Sequence, residues 1–519
     1  TTGHRGGAAL DDGTCKSCHT PDNIKIAHRT QNITPNNPAI EPGLAVFTYE
    51  IGSAAVNATT NDVSIKFRIL KQLADSTGQV KDVKGEYVTF LPPAVQPNPA
   101  IILDGFTGSP SFVLAWAMKQ DEIGSPIDYN NQMTNADDGK QNKQAQPLTV
   151  AISALLNSST SGTSANINTV GSLSERDSEG YYTATLRGNG SAVCGDSSSR
   201  MKCVFPVGAT LRGVGLQGYF SQVSGPAAPP RAAVPRQAIS VVKSVNGDTP
   251  RRVVVDKQKC AGCHEWLEFH GGNRVLDPQI CVMCHVPGLA TSGRGIADAA
   301  SGTFPGLNNW IFDIASTRIV NDWKFDKTAV NAALKFPVTS NNFKDMIHGI
   351  HAGRDRVTPF QDARDRTSTT STGGGVIQLL DFRRMDFPGK LNNCETCHVT
   401  ATGTTATYNT IPSGSLASTY ESIDKAYADA IVAKTATPAD AKRSLVTANL
   451  TDSVTTPFTA ACVSCHDGSS AKAHMAINGG QLNVARATAL PKGRALQDVE
   501  SCAVCHGPGR EFDTAKVHK

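Results

Sequence analysis

The stretch CAGCH at residues 260–264 places two cysteines three positions apart, with a histidine directly after the second one. The pattern occurs six times in the 519-residue chain and uses twelve of its fourteen cysteines. The cysteines of the six motifs are Cys15, Cys18, Cys260, Cys263, Cys281, Cys284, Cys394, Cys397, Cys462, Cys465, Cys502 and Cys505. The histidines that close the motifs are His19, His264, His285, His398, His466 and His506.

Chance does not explain six copies, because a chain of this composition should contain about 0.01 such motifs by accident. C-x-x-C-H is the attachment sequence of c-type haem. On a helical turn the two cysteines reach the two vinyl groups of one porphyrin, and the histidine lies under the ring as a proximal iron ligand. Zinc sites also use C-x-x-C, but not with a histidine invariably next to the second cysteine. The motifs predict six covalently bound haem c groups, attached outside the cytoplasm.

Seven of the thirteen histidines lie outside the motifs. Six haems with two histidine ligands each require twelve histidines, which is close to the thirteen that the chain contains. From residue 246 onward, five motifs are accompanied by five further histidines. The predicted distal ligands are His28, His270, His348, His351, His474 and His518. For the first haem we favour His28, nine residues after His19, which leaves His4 spare or able to bind iron elsewhere, including in another subunit.

The stretch NFKDMIHGIHAG at residues 342–353 carries two of these histidines, His348 and His351. On a helix they lie at positions i and i+3 and therefore share one face. One haem cannot take both on opposite sides of its ring from so short a stretch, so we expect them to bind two different haems. The alternative is a helix with two surface histidines.

The remaining cysteines, Cys194 and Cys203, flank an eight-residue polar spacer. In an exported protein this spacing is typical of a small disulfide loop. Two free thiols are the alternative.

The chain divides into three predicted domains of mixed fold class. Residues 1–30 form a short arm with one haem, and residues 246–519 form a pentahaem domain of loops and short helices, with little regular secondary structure. Residues 31–245 have no motif and contain strand-like runs such as VSIKFRIL, SFVLAW and LTVAISALL, separated by Gly, Ser, Asn and Pro. These runs predict an antiparallel β sandwich or barrel. Helices are predicted at 342–353, 420–434 and 437–450.

Composition excludes several classes of partner. Lys and Arg number 49 against 45 Asp and Glu, and no polybasic run indicates nucleic-acid binding. No apolar run approaches the eighteen residues of a membrane span. The sequence starts TTGHRGG, so we expect an export signal to have been removed already. No cysteine stands at this start to carry a lipid anchor.

The stretches CAGCHEWLEFHGG, FKDMIHGIHAG, FPGKLNNCETCH and CAVCHGPGREFD resemble the OmcA/MtrC-type outer-membrane decahaem cytochromes of metal-respiring bacteria. The resemblance covers residues 246–519. It implies that the five extra histidines of this region are distal ligands. It also implies a location on the cell surface and electron transfer to metal oxides, flavins or other multihaem cytochromes. Unlike the family, this chain has one β domain and one pentahaem domain, plus an extra N-terminal haem.

The extra haem favours an assembly of identical subunits. More than 200 residues without a motif separate it from the other five. It either folds back onto its own pentahaem domain or docks on that of another subunit, and head-to-tail docking generates an open filament. We therefore expect a homopolymeric cytochrome filament, with no catalytic residues. The alternatives are a monomeric surface carrier or terminal metal or flavin reductase, an oxidoreductase with one five-coordinate haem, and an adhesive surface protein.

Overall fold

The computed structural model describes thirteen parts of the chain. These are residues 19–21, 31–99, 101–132, 146–157, 171–187, 205–223, 233–290, 339–358, 360–365, 377–399, 411–421, 450–490 and 499–518.

The first sheet contains five antiparallel strands. Its strands are β1 (Ala45–Val56), β2 (Val63–Leu73), β3 (Glu86–Tyr87), β7 (Gly171–Leu173) and β8 (Tyr182–Leu186). Strand β2 shows why this sequence is extended: Val63, Ile65 and Phe67 are buried, while Lys66 and Arg68 between and after them point outward. Alternation with a period of two gives the sheet one apolar face.

A second antiparallel sheet packs against that apolar face. Its strands, in spatial order, are β12 (Val241–Ser244), β9 (Thr210–Gln217), β5 (Ser111–Ala117) and β6 (Leu148–Ala151). Strand β5 is buried on both faces: Phe112, Leu114 and Trp116 enter the core between the sheets, whereas Val113 and Ala115 join a different cluster. The second sheet is therefore covered on both sides.

A smaller antiparallel sheet lies at the edge of this core. It consists of β4 (Phe106–Thr107), β10 (Tyr219–Gln222) and β11 (Val234–Gln237). Phe106 and Phe220 contribute to the main core from this sheet. The prediction of antiparallel sheets in a fold with few helices is confirmed, while the three domain boundaries stay predictions.

One strand-like run is only half a strand. The run LTVAISALL forms β6 and then turns into helix α1 (Ile152–Leu156). Ile152 and Leu155, three positions apart, are both buried in the main core. A short apolar run fits a strand or a helix, and here tertiary packing selects a helical turn for its second half.

The residues after β12 form short elements around the motifs. The helices are α2 (Lys257–His264), α3 (Pro278–Cys284), α4 (Phe343–His351), α5 (Pro457–Val463), α6 (Ser469–Ile477), α7 (Arg486–Ala489), α8 (Ala503–His506) and α9 (Thr514–Val517). The strands are β13 (Glu268–Phe269), β14 (Arg274–Val275), β15 (Gln361–Asp365), β16 (Ile377–Asp381), β17 (Ser418–Glu421), β18 (Ser453–Thr455) and β19 (Val484–Ala485). No helix in the described ranges is long and apolar enough to cross a membrane.

Helix α4 matches the helix predicted at 342–353. The helices predicted at 420–434 and 437–450 lie almost wholly outside the described residues. The disulfide predicted between Cys194 and Cys203 also lies outside them.

Helix α3 docks the motif region onto the outer face of the second sheet. Its Ile280 and Met283 pack with Val113 of β5. Gly215 of β9 permits this approach, because a Cβ there would lie 2.4 Å from Cδ1 of Ile280. The Asn131 side chain donates a 2.8 Å hydrogen bond to the Met283 carbonyl. The sheet thereby supports one motif directly.

A second junction uses ion pairs. Arg486 of α7 lies 2.6 Å from the Asp121 carboxylate, and both side chains are nearly fully buried. Arg251 pairs with Asp128 at 2.7 Å. These contacts fix the motif region against the β sheets at several separated points.

Candidate functional site

Ten imidazole rings in the motif region meet in five pairs. Each pair contains one motif histidine and one of the five additional histidines, and its ring centroids lie 5.9 to 6.2 Å apart. The pairs, with centroid distance and interplanar angle, are His264–His351 (6.0 Å, 82°), His270–His285 (6.1 Å, 35°), His348–His398 (6.0 Å, 35°), His466–His518 (5.9 Å, 69°) and His474–His506 (6.2 Å, 86°).

The separation fits a metal ion between two imidazoles. A metal–nitrogen bond of about 2.0 Å, with about 1.1 Å from nitrogen to ring centre, puts two such centres about 6.2 Å apart across one ion. Stacked aromatic rings in direct contact lie about 4.5 to 7 Å apart, so distance alone is not decisive. The composition of the pairs is more selective, because every one of the five joins a motif histidine to a non-motif histidine.

The cysteines of the five described motifs are available for thioether attachment. All ten cysteines of the five described motifs are free of disulfides. In four motifs the histidine N–H bonds the carbonyl of the first cysteine, which closes one helical turn. These bonds run from His285 to Cys281, from His398 to Cys394, from His466 to Cys462 and from His506 to Cys502, at 2.8 to 2.9 Å. Burial raises the pKa of Cys260 to about 11 and that of Cys281 to about 12, so both thiols are neutral near pH 7.

Backbone carbonyls orient four of the rings through Nδ1. The Nδ1 atoms of His285 and His351 lie 2.9 Å from the carbonyls of Asn341 and Ile347. Similar bonds hold two further rings: His506 to Phe512 at 3.2 Å and His518 to Thr514 at 3.1 Å. A hydrogen bond at Nδ1 fixes the tautomer and leaves Nε2 as the metal-binding nitrogen.

The pair His348–His398 is the most deeply enclosed. Burial lowers the pKa of His348 to about 3, and electrostatic interactions with His398, Lys344 and His351 contribute to the same shift. Burial also lowers the pKa of His398 to about 4. Both imidazoles are therefore neutral at physiological pH, which is the form that binds a metal.

Helix α4 and the residues before it join three pairs. His348 belongs to one pair and His351 to another, so the two adjacent histidines of NFKDMIHGIHAG face different partners. Phe343, at the start of the helix, lies 6.5 Å from the ring of His285, and its N–H donates to the His285 carbonyl. One rigid segment thus sets the spacing of three sites.

Hydrogen bonds between side chains and the backbone connect the motifs. Lys259 donates to the carbonyls of Glu395 and His398 at 2.8 and 2.7 Å, joining the motifs at 260 and 394. After α4, Val357 and Thr358 donate to the Asp467 carboxylate beside the motif at 462.

The last two motifs are joined through the start of α5. Glu500 accepts from the backbone N–H groups of Phe458 and Thr459, which connects the motif at 462 with the one at 502. Contacts therefore connect the ring of His285 with α4, the motif at 260 with the one at 394, and the motif at 462 with both the residues after α4 and the motif at 502.

The first predicted site is mostly outside the described residues. Outside them lie Cys15, Cys18, His4 and His28. His19 is among the described residues and is exposed. Residues just after the arm are fixed, since Thr34 donates to Glu265 at 2.8 Å. Glu265 directly follows His264, so Thr34 is held next to that histidine.

A family model for outer-membrane cytochromes, MtrC/MtrF-like, domains II/IV, matches residues 252–519. The chain belongs to this family. The match covers all five described histidine pairs. It also bears out the OmcA/MtrC-type resemblance of the motif region.

Two solved structures are similar to this MtrC/MtrF-like chain. MtrC from Shewanella baltica OS185 shares 14% identity, with a TM-score of 0.41, over 97% of this chain and 57% of that one. The outer-membrane decaheme cytochrome OmcA shares 16% identity, with a TM-score of 0.37, over 91% of this chain and 49% of that one. The chain spans about half the length of these two proteins. No curated protein matches it.

Sequence reasoning missed the residues that orient the rings of this MtrC/MtrF-like chain. The sequence could have predicted the carbonyls of Ile347 and Thr514 as partners of His351 and His518, because each lies four residues before its histidine, one helical turn away. The Asn341 carbonyl, far from His285 in sequence, had no such signal. Phe387 also gave no such signal. Its ring centroid lies 5.8 Å from that of His351, yet it is far in sequence from Cys260 and Cys263 of the motif that His351 faces.

Proposed function

We propose that this chain transfers electrons through six covalently bound haem c groups, each held by two histidines. One observation carries the proposal: five motif histidines each face one non-motif histidine at 5.9 to 6.2 Å. Haem c, when bound, supplies reversible one-electron chemistry at iron. The chain contributes the thioether cysteines, both axial nitrogens and the spacing of the sites.

The proximal ligands in this proposal are the motif histidines, and the distal ligands are the facing ones. His351 would serve the site of His264, His270 that of His285, and His348 that of His398. His518 would serve the site of His466, and His474 that of His506. For the first site we propose Cys15, Cys18 and His19, with His28 as distal ligand and His4 as the alternative or an inter-subunit ligand.

Two histidine nitrogens at each site leave no coordination position for a substrate. A site of this kind favours electron transfer over chemistry on a bound molecule. The pairs at the five described sites therefore favour a carrier over an oxidoreductase with a five-coordinate haem. Titration of the purified holoprotein with cyanide or nitrite distinguishes the two. Low-spin spectra that neither anion changes support the carrier, and a high-spin fraction that binds either anion contradicts it.

We propose that the sites form one path, a single series. Its ends would be the pairs of His285 and His506, with those of His264, His398 and His466 between them, and the contacts between the motifs support this order. Thr34, four residues after the arm, donates to Glu265, which directly follows His264. We propose that the first haem connects to the series at the site of His264.

Membership in a family of outer-membrane cytochromes supports a place at the cell surface. We propose that the chain passes electrons to extracellular acceptors such as metal oxides or flavins, or to other multihaem cytochromes. The chain would reach this place by export through the periplasm. Whether it reduces a metal oxide directly is tested by mixing reduced holoprotein with ferrihydrite and following reoxidation.

We further propose that copies of the chain join head to tail into a filament, with the first haem of one copy against the series of the next. The surplus histidine supports this arrangement. Cryo-electron microscopy of native material tests it. Filaments with arm haems between neighbouring bodies are expected. Monomers whose first haem lies in their own series contradict the filament and favour a monomeric surface carrier.

A further inference from the structure

Asp345 and His348 lie one turn apart on helix α4, and each has a buried polar atom without a hydrogen bond. These atoms are Oδ1 of Asp345 and Nδ1 of His348, and neither has a partner among the described residues. Leaving a buried donor and a buried acceptor both unpaired costs about 1 to 3 kcal/mol each. A pairing of the two atoms would remove both costs.

His348 differs in this respect from the four rings whose Nδ1 is hydrogen-bonded to a carbonyl. His351, on the same helix, uses the carbonyl four residues earlier, and so does His518, directly after α9. The corresponding carbonyl for His348 belongs to Lys344, and the buried Nδ1 of His348 makes no bond to it. His348 therefore needs another acceptor when its Nε2 binds iron.

The position of Asp345 on the helix suits it as that acceptor. Side chains three residues apart are neighbours on a helix surface, with Cβ atoms about 5 to 6 Å apart. Helical side chains lean toward the N-terminus, so the ring of His348 leans over the turn that contains Asp345. Burial raises the pKa of the Asp345 carboxyl, while the charge of Lys344 and side-chain hydrogen bonds with Ser340 and Ser418 lower it. Its Oδ1 is left for a further donor.

We propose that Oδ1 of Asp345 accepts the Nδ1 hydrogen of His348 when the site is loaded. Asp345 is then a positioning residue that fixes the His348 ring and increases electron donation from its Nε2. A carboxylate behind a histidine ligand raises the basicity of that ligand. Stronger donation favours the ferric state, so the potential of the His348–His398 site is held lower than it would be with a carbonyl acceptor. This inference rests on the proposed ligand role of His348.

The effect on electron flow follows from the place of this site in the series. On the proposed path the pair His348–His398 lies between the pairs of His264 and His466, and Lys259 joins its motif to that of His264. A haem with a lower reduction potential than its neighbours in the middle of a path is an energetically uphill step for the electron. Asp345 would thus set the rate of passage along the series, without touching either end.

Potentiometric titration of holoprotein variants tests the proposal. Asp345→Ala removes the acceptor, and Asp345→Asn retains an uncharged one. We expect Asp345→Ala to shift the reduced-to-oxidised ratio of one haem about tenfold toward reduced, which equals about 59 mV for one electron. Asp345→Asn should give a smaller shift of the same sign, and Asp345→Glu should restore most of the original potential. Asp386→Ala is the control, because it removes an exposed carboxylate near the same helix.

A merely structural role for Asp345 would not give this graded order, and equal potentials in Asp345→Ala and the native protein overturn the proposal. Near-infrared magnetic circular dichroism of the unsubstituted holoprotein gives a second test that does not depend on variant folding. One haem should show a charge-transfer band displaced toward that of a histidinate ligand, and identical bands for all haems overturn the proposal.

His348→Ala separates this inference from the proposed function. If that variant acquires one high-spin haem while Asp345→Ala changes no potential, the ligand assignment stands and the role of Asp345 falls. If His348→Ala leaves every haem low-spin, the ligand assignment itself falls.

Discussion

His348 and His398 come from distant parts of the chain, yet their imidazole rings lie 6.0 Å apart with planes inclined by 35°. Helix α4 carries the first ring, and the CETCH turn carries the second. Lys259 ties that turn to the neighbouring motif through two carbonyls. The two rings are therefore held by separate elements that can keep a fixed gap between them.

Replacing His348 with alanine should convert one haem to the high-spin ferric form and leave it attached. The thioether bonds of Cys394 and Cys397 do not depend on the distal ligand, so the mass of the holoprotein should change only by the side chain. Electron paramagnetic resonance and intact-protein mass spectrometry measure the two quantities. Lys344→Gln, on the same helix, should leave every haem low-spin. Loss of the haem from the His348 variant would contradict the assignment.

The ring planes should divide the five described sites into two spectroscopic classes. The planes of His270–His285 and His348–His398 are inclined by 35°, while the other three pairs are inclined by 69° to 86°. Near-parallel ligand planes split the iron d orbitals more strongly than near-perpendicular ones. Low-temperature resonance of the oxidised protein should show two rhombic low-spin haems and three highly anisotropic ones from these sites. A single class for all five would show that the planes turn when the sites are loaded.

Breaking the buried pair Arg486–Asp121 should destabilise the junction between the sheets and the motif region. Both side chains are nearly fully buried, so Arg486→Met leaves an uncompensated carboxylate and should lower the free energy of unfolding by about 3 to 5 kcal/mol. Removing both partners together should cost less than removing Arg486 alone. Denaturant unfolding of the holoprotein measures the changes.

The matched control for this pair is Arg354, which is 64% exposed beside Asp386. Replacing it with methionine should cost no more than about 1 kcal/mol, because water screens exposed ion pairs. Equal costs for Arg354→Met and Arg486→Met would show that the buried junction adds no stability.

The number of haems is checked most simply at the first motif. Cys15→Ser with Cys18→Ser should lower the mass of the holoprotein by one haem and leave five low-spin haems. The five described pairs use ligands from residue 264 onward, so their spectra should not change. An unchanged haem mass would mean that the first motif carries none, and the filament proposal would lose its inter-subunit haem.

The sequence was sufficient to predict the antiparallel strands and the short helix α4. Period-two burial in β2 and the i, i+3 histidines of α4 are local signals, and local signals survive folding. The second half of LTVAISALL was wrong as a strand, because packing of Ile152 and Leu155 on the core decides between two structures that the pattern allows equally. Burial of both faces of β5 also needed the tertiary structure, since α3 comes from a distant part of the chain.

The pairing of the histidines was beyond the sequence. His474 follows His466 by eight residues, yet it pairs with His506, and His466 pairs with His518. In the described pairs, no additional histidine follows its motif partner within ten residues. Nearness in the chain therefore does not select a distal ligand, and the choice of His28 for the first site, made on nearness, stays a prediction.

The position of each iron tests the central claim most directly. Anomalous X-ray diffraction from crystals of the holoprotein at the iron edge locates every iron independently of the chain trace. The account predicts one iron midway between the rings of each of the five described pairs, and a sixth beside His19. An iron displaced from any of these pairs, or a pair whose two rings bind different irons, would contradict it.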